Sequence, residues 1–186
     1  MSNEVVHERL HPGQRAPAIS LPGIDGSLFD SEGLRGQRHM LAFFRFAACP
    51  FCNLRISTLV GRHGELKPGF PIVAIFESPL DHLRKHAEGH RAPFPILADE
   101  GRVAYGAYAI ERSLAGTLKG MVTRMPTLVK AMRRGFLPTS IKGGFTTMPA
   151  DFLVDEAGVV QVAHYGRDEG DHLAFEAIRD FSWGAR

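Results

Sequence analysis

The chain has 186 residues, 44% of them apolar and 23% charged, with a formal net charge of +2 at neutral pH. That length suits one domain with a core that needs no staples. The near-neutral charge gives no case for nucleic-acid binding, and no apolar run is long enough for a membrane span. Two cysteines in the whole chain exclude a disulfide framework.

The opening, MSNEVVHERLHPGQ, is polar and mixed in charge, unlike a secretory signal, so a cytoplasmic location is expected. Residues 11–30 hold Pro, Gly and an Asp25–Gly26 turn between short apolar stretches, which reads as a hairpin. His39–Phe44 is a continuous apolar run suited to a buried strand. Cys49, Pro50, Phe51 and Cys52 then open a helical pattern that runs to Arg62, with Ile56, Leu59 and Val60 on one face. Pro50 falls at the first helical position, where its missing N–H costs nothing.

Phe70–Glu77 reads as a second buried strand. A helix is expected after it, with Ser78 as N-cap, Pro79 first, Asp81 completing a capping box, and Leu80, Leu83 and Ala87 facing inward. FPILAD is a third strand and EGRVAYGAY a short helix. Residues 150–166 form two strands joined by a turn at Glu156–Gly158. A closing helix is expected from Asp171 as N-cap, with Ala174, Ala177, Ile178 and Phe181 at helical spacing. Strands alternating with helices give an α/β protein: one domain built on a mainly parallel sheet, covered on both faces and finished by a hairpin.

The stretch from Arg112 to Ala150 stands apart, with seven basic residues and no acidic one. Met121, Met125, Leu128, Val129 and Met132 form one apolar stripe if Pro126 begins or kinks a helix there. The plain reading is an inserted surface helix, with the stripe packed on the core and the charges in water. A dimer contact, an anionic-substrate lip and a membrane-surface contact are the sharper readings.

Cys-x-x-Cys between an apolar strand and a helix is the arrangement of a thiol/disulfide redox site. The strand end fixes Cys49, and the helix start directs unpaired N–H groups and a positive dipole end at its sulfur, which favours thiolate. Cys52 lies one helical turn further in. Arg45 and Arg55 are close enough in sequence to lower the Cys49 pKa. His82, His86 and His90 have near-metal-site spacing, but Gly89 should end their helix, and a solvated face is the simpler account.

The order of elements resembles the thioredoxin fold, with a central mixed sheet, helices on both faces and an N-terminal hairpin extension. The segments PGQRAPAISLPGIDGSLFDSEGLRGQ, FFRFAACPFCNLRI and MPADFLVDEAGVV resemble the alkyl hydroperoxide reductase/thiol-specific antioxidant, or peroxiredoxin-like, family in its CPFC-bearing subgroup. The resemblance spans nearly the whole chain and is poorest over 112–146, a basic insertion. It implies that Cys49 attacks, that Cys52 resolves, and that Pro149 is a cis-proline turning the backbone of Met148 toward the sulfurs. Pro50, Phe51 and Met148 would then touch substrate. Where true peroxiredoxins carry a proline and a Thr or Ser ahead of the attacking cysteine, this chain has Ala42 and Phe46. Where they bring an arginine to the site, it has Pro149, so Arg45 or Arg55 would have to replace that arginine.

The resemblance thus implies a thiol-dependent oxidoreductase, an antioxidant cycling Cys49 and Cys52 between dithiol and a redox-active disulfide. Its substrate would be a disulfide or a peroxide, and a thioredoxin- or glutathione-type reductant would reset the pair, with no cofactor. A homodimer is possible by analogy. Two other classes stay open. One is a copper- or zinc-binding protein using Cys49, Cys52 and His164, since two thiolates and an imidazole suit either metal. The other is a non-catalytic redox sensor whose disulfide state alters the basic segment.

Overall fold

A computed structural model describes residues 8–137 and 142–184. The first half of the expected signal-free opening, residues 1–7, lies outside the described residues, as do residues 138–141 of the basic segment. Two short strands, β1 (Ser20–Pro22) and β2 (Leu28–Asp30), pair antiparallel as the expected N-terminal hairpin. The main sheet has five: β3 (His39–Phe44), β4 (Ile72–Phe76), β5 (Ile96–Ala98), β6 (Ala150–Val154) and β7 (Val160–Tyr165). Their spatial order is β5-β4-β3-β6-β7. β3, β4 and β5 run parallel, while β6 is antiparallel to β3, and β7 to β6, giving the mixed sheet of a thioredoxin-like protein.

Among the described residues six α-helices accompany the strands: α1 (Pro50–Arg62), α2 (Leu80–Ala87), α3 (Val103–Ala107), α4 (Leu114–Thr123), α5 (Met125–Arg133) and α6 (Phe175–Ser182). β3 is central, and all six of its residues are buried, which is why it reads as an unbroken apolar run. Successive side chains leave opposite faces. Met40, Ala42 and Phe44 join Ile56 and Leu59 of α1, Leu83 of α2 and Ile178 of α6 in one core. Leu41 and Phe43 join Leu21, Tyr105 of α3 and Tyr108 in the other. The Asp99 carboxylate accepts from the N–H groups of Val103, Ala104 and Tyr105, at 2.8, 2.8 and 3.1 Å, and so starts the short α3.

Two helix starts differ from expectation. α2 begins at Leu80 with Pro79 as N-cap, and no side chain caps it. Ser78 is buried, and its Oγ lies 3.3 Å from both His82 Nδ1 and the Lys142 carbonyl, so it braces the chain that returns over β4 instead. α6 begins at Phe175 after Ala174. Asp171 is already committed upstream: it accepts from the Arg167 N–H at 2.9 Å and faces His164 Nε2 at 3.0 Å.

The basic segment departs furthest. It folds as two helices, with Pro126 in the first turn of α5. α4 turns Gly116, Thr117 and Gly120 inward, not its large residues. Met121, Met125, Val129 and Met132, expected on the core, are 41–52% exposed; of the stripe only Leu128 packs inward. The cause is close approach. A Cβ at Gly116 would lie 2.8 Å from Met148 Sδ, and one at Gly120 would overlap the Glu169 carboxylate. Only glycine lets this helix lie so near the site.

Candidate active site

β3 delivers the chain into a buried link, Arg45–Ala48, and Cys49 takes the N-cap of α1 in an extended conformation (φ −68°, ψ 119°), with Pro50 in the first turn. The link is pinned by Asn53, whose Nδ2 donates to the carbonyls of Ala47 (2.7 Å) and Cys49 (2.9 Å). His90 Nε2 lies 2.7 Å from Asn53 Oδ1, which commits it to this brace and parts it from the His82–His86 pair, whose rings are 4.7 Å apart. Both cysteines are free thiols with no exposed surface.

Arg45 is 3% exposed and places Nη1 3.7 Å from Cys49 Sγ. Its guanidinium sits 5.5 Å from the ring centroids of both Phe46 and Phe145, and Nη2 donates to the Phe145 carbonyl. The aromatic ring at position 46 thus helps to clamp the arginine. Burial pushes the Cys49 thiol up, yet the hydrogen bond from Cys52, the Arg45 charge and the N–H groups of Cys52 and Phe51 outweigh it and bring the pKa down to about 7. Cys52 goes the other way: burial raises it, and its bond to Cys49 and that neighbour's charge raise it further. The pair is therefore polarised into a thiolate at 49 and a thiol at 52.

Facing Arg45 is Glu169, which sequence reasoning missed and nothing in the sequence signalled. It is 1% exposed, and neither carboxylate oxygen has a hydrogen-bond partner among the described residues, nor has Arg45 Nε. Burial pushes the Glu169 carboxyl up, against its own backbone N–H and the Arg45 charge.

Arg55, the other candidate arginine, points elsewhere. Its Nη2 donates to the Leu173 carbonyl at 2.7 Å and lies 3.7 Å from Asp151. Asp151, wholly buried on β6, also accepts from the Leu173 N–H (2.7 Å) and faces His172 Nδ1 at 3.1 Å. Burial works against its ionised form, but His172, Arg55 and the Leu173 N–H hold the carboxyl below its ordinary value. A lone acid inside the apolar run ADFLV was the available signal for this cluster.

The Met148–Pro149 bond is not cis; no cis peptide occurs among the described residues. The segment instead runs extended into β6: Thr147 bridges Arg112, and the Met148 N–H donates to the Glu111 carbonyl at 3.0 Å. The Met148 side chain is buried against Gly116, and the Pro149 carbonyl accepts from the Gly166 N–H at 2.8 Å. Phe51 is buried, its ring beside Gly170. His164 is held by Asp171, and no group of three or more potential metal ligands forms among the described residues, so the Cys49–Cys52–His164 metal site is not assembled.

A reduced Cys-x-x-Cys pair at the end of a central strand, polarised by the start of a helix, defines a thioredoxin-like dithiol protein. Residues 12–163 match the model of the AhpC/TSA family, and the chain belongs to that family. A Mycobacterium tuberculosis protein that bears a peroxiredoxin name is 26% identical over 178 residues, covering 94% of this chain and 96% of its own length. Among solved structures, a peroxiredoxin-like protein from Aquifex aeolicus superposes with a TM-score of 0.70 at 11% identity, covering 96% of this chain and 89% of the other. A Chlorobium tepidum structure titled as a thiol:disulfide interchange protein of the DsbE type gives 0.60 at 19% identity, covering 94% and 99%. No helix among the described residues is long and apolar enough to cross a membrane.

Proposed function

We propose that the protein is a two-cysteine thiol peroxidase in which Cys49 attacks a small hydroperoxide and Cys52 resolves the product. The observation that carries this reading over exchange with a bulky disulfide is the burial of both sulfurs: neither has exposed surface, although one is poised as a thiolate. A small peroxide needs only a narrow opening to reach such a thiolate, whereas exchange requires two sulfurs in line with a third.

The Cys49 thiolate attacks the distal peroxide oxygen: an S–O bond forms to that hydroxyl oxygen, the O–O bond breaks, and the displaced alkoxide takes a proton from solvent and leaves as alcohol, giving Cys49 sulfenic acid. The Cys52 thiol then attacks that sulfur and releases water as the disulfide closes, its proton leaving with the hydroxyl. A thioredoxin- or glutathione-type dithiol or thiol reductant restores the pair, which suits a cytoplasmic setting. Arg45 stands in for the hydroxyl and arginine that peroxiredoxins bring to the site. Its charge stabilises the thiolate, and its unpartnered Nε is a donor for a peroxide oxygen.

Stopped-flow oxidation of the reduced protein by hydrogen peroxide, an organic hydroperoxide and oxidised glutathione tests this. Peroxide should oxidise Cys49 far faster than it oxidises a free thiol, and a Cys52→Ser variant should accumulate a sulfenic acid that dimedone traps. Oxidation no faster than a free thiol, with rapid reaction of the disulfide, would replace peroxidase by disulfide exchange at the same pair.

A further inference from the structure

α4 packs its small residues and shows its large ones. Gly116, Thr117 and Gly120 face inward, while Leu114, Leu118, Met121, Val122 and Met125 are 46–76% exposed. Leu114, Leu118, Met121 and Val122 recur at helical spacing, so they form one apolar strip along α4, and Met125, Val129 and Met132 of α5, all more than 40% exposed, add to the exposed apolar surface. An exposed strip of this kind marks an interaction site, since isolated apolar residues scatter rather than align. Two other helices do the opposite: α1 buries Ile56 and Leu59, and α6 buries Phe175, Ile178 and Phe181.

The charges around the strip have one sign. Lys119, Lys130, Arg133 and Arg134 are exposed and form no ion pair among the described residues. Arg112 and Arg124, by contrast, are already paired with Glu77 and Asp168. No acidic residue occurs between Arg112 and Ala150, although the chain as a whole is close to neutral.

We propose that the α4–α5 segment is a docking surface for an anionic lipid bilayer. Leucine, valine and methionine chains enter the boundary between headgroups and acyl chains, and the lysines and arginines meet anionic headgroups. A second copy of this chain is a poorer occupant, because a symmetric contact through this segment would bring the unpaired cations together with no acid of the segment to answer them. Docking does not depend on which substrate Cys49 attacks.

The experiment is flotation of the full-length reduced protein with vesicles of phosphatidylcholine alone or mixed with phosphatidylglycerol. Binding should require phosphatidylglycerol and weaken as salt is raised. A Val122→Asp variant and a Lys130→Glu/Arg133→Glu variant should each bind about tenfold or more weakly. Both should keep the wild-type unfolding midpoint and thiolate titration, since the changed side chains are exposed. Absence of binding to phosphatidylglycerol vesicles, or undiminished binding by both variants, overturns the proposal. So does a stable dimer in sedimentation equilibrium that Val122→Asp dissociates, since a second copy would then be what covers the strip.

Discussion

Asp151 and Glu169 are both buried acids close to α1, and the protein treats them in opposite ways. Asp151 is answered on every side, by His172, Arg55 and the Leu173 N–H, and stays ionised below its ordinary pKa. Glu169 is answered by nothing within hydrogen-bonding reach among the described residues and is pushed up by burial. The two arginines differ in what they serve, not in whether Nε is paired: Nε of both lacks a partner among the described residues, as does Nε2 of His172. Arg55 ties α1 to the chain beyond β7 and lies beside Asp151, while Arg45 holds one nitrogen toward Cys49. Buried polar groups are almost always paired, so a carboxylate with neither oxygen bonded, near the arginine that faces the thiolate, is where a bound molecule would supply a partner. The cluster around Asp151 builds the fold; the one beside Cys49 is left for chemistry.

The largest effect that would break this division is at the sulfurs. Cys49→Ser should abolish peroxide turnover, and Cys52→Ser should permit a single oxidation per chain, read by mass as one dimedone adduct. Turnover persisting in Cys49→Ser would move the attacking group away from position 49. Next comes the paired acid. Asp151→Asn should cost about 3–5 kcal/mol in urea unfolding, because it strands buried His172 and Arg55. Since the folded pKa of Asp151 is depressed, its stabilisation is complete above the unfolded value of about 3.9 and is lost as pH falls through the folded value. The wild type should therefore lose its advantage over Asp151→Asn below about pH 4. A loss under about 1 kcal/mol would put the cluster on a level with a surface ion pair.

The arginines separate the two roles directly. Arg45→Met should raise the Cys49 midpoint from about 7 by about one unit or more, because an adjacent cation favours the thiolate. Arg55→Met should cost stability through Asp151 and leave the midpoint in place. Both are read from the pH dependence of thiol alkylation together with unfolding curves. Equal midpoints in the two variants would remove Arg45 from its role at the sulfur.

Much of this was legible in the residues. Unbroken apolar runs placed β3 and β4, the Cys-Pro-Phe-Cys spacing placed the start of α1, and the Glu156–Gly158 turn joined β6 to β7, because each of these signals is local. What was not legible depends on pairs far apart in the chain. The capping roles expected of Ser78 and Asp171 were pre-empted by Lys142 and His164. Arg45 could be told from Arg55 only once Phe145 and Asp151 came into contact with them. The inward face of α4 looked blank in sequence because glycine carries no hydropathy signal, yet it is glycine that admits Glu169.

The smallest effect tests the contrast most finely. For a carboxyl whose folded pKa is raised, the unfolded chain releases its proton first as pH climbs, so stability falls as pH rises from about 4. Glu169→Gln keeps the shape and cannot ionise. It should therefore be more stable than the wild type at neutral pH, by about 1 kcal/mol, with the gap closing as pH falls toward about 4. This is the reverse of Asp151→Asn in both sign and pH dependence. The Cys49 midpoint should drop slightly in the same variant, since no ionised carboxylate then competes for Arg45. Urea unfolding of both proteins across the acid range measures the gap. If Glu169→Gln is the less stable protein at every pH, the carboxyl has a partner, and the two buried acids are alike after all.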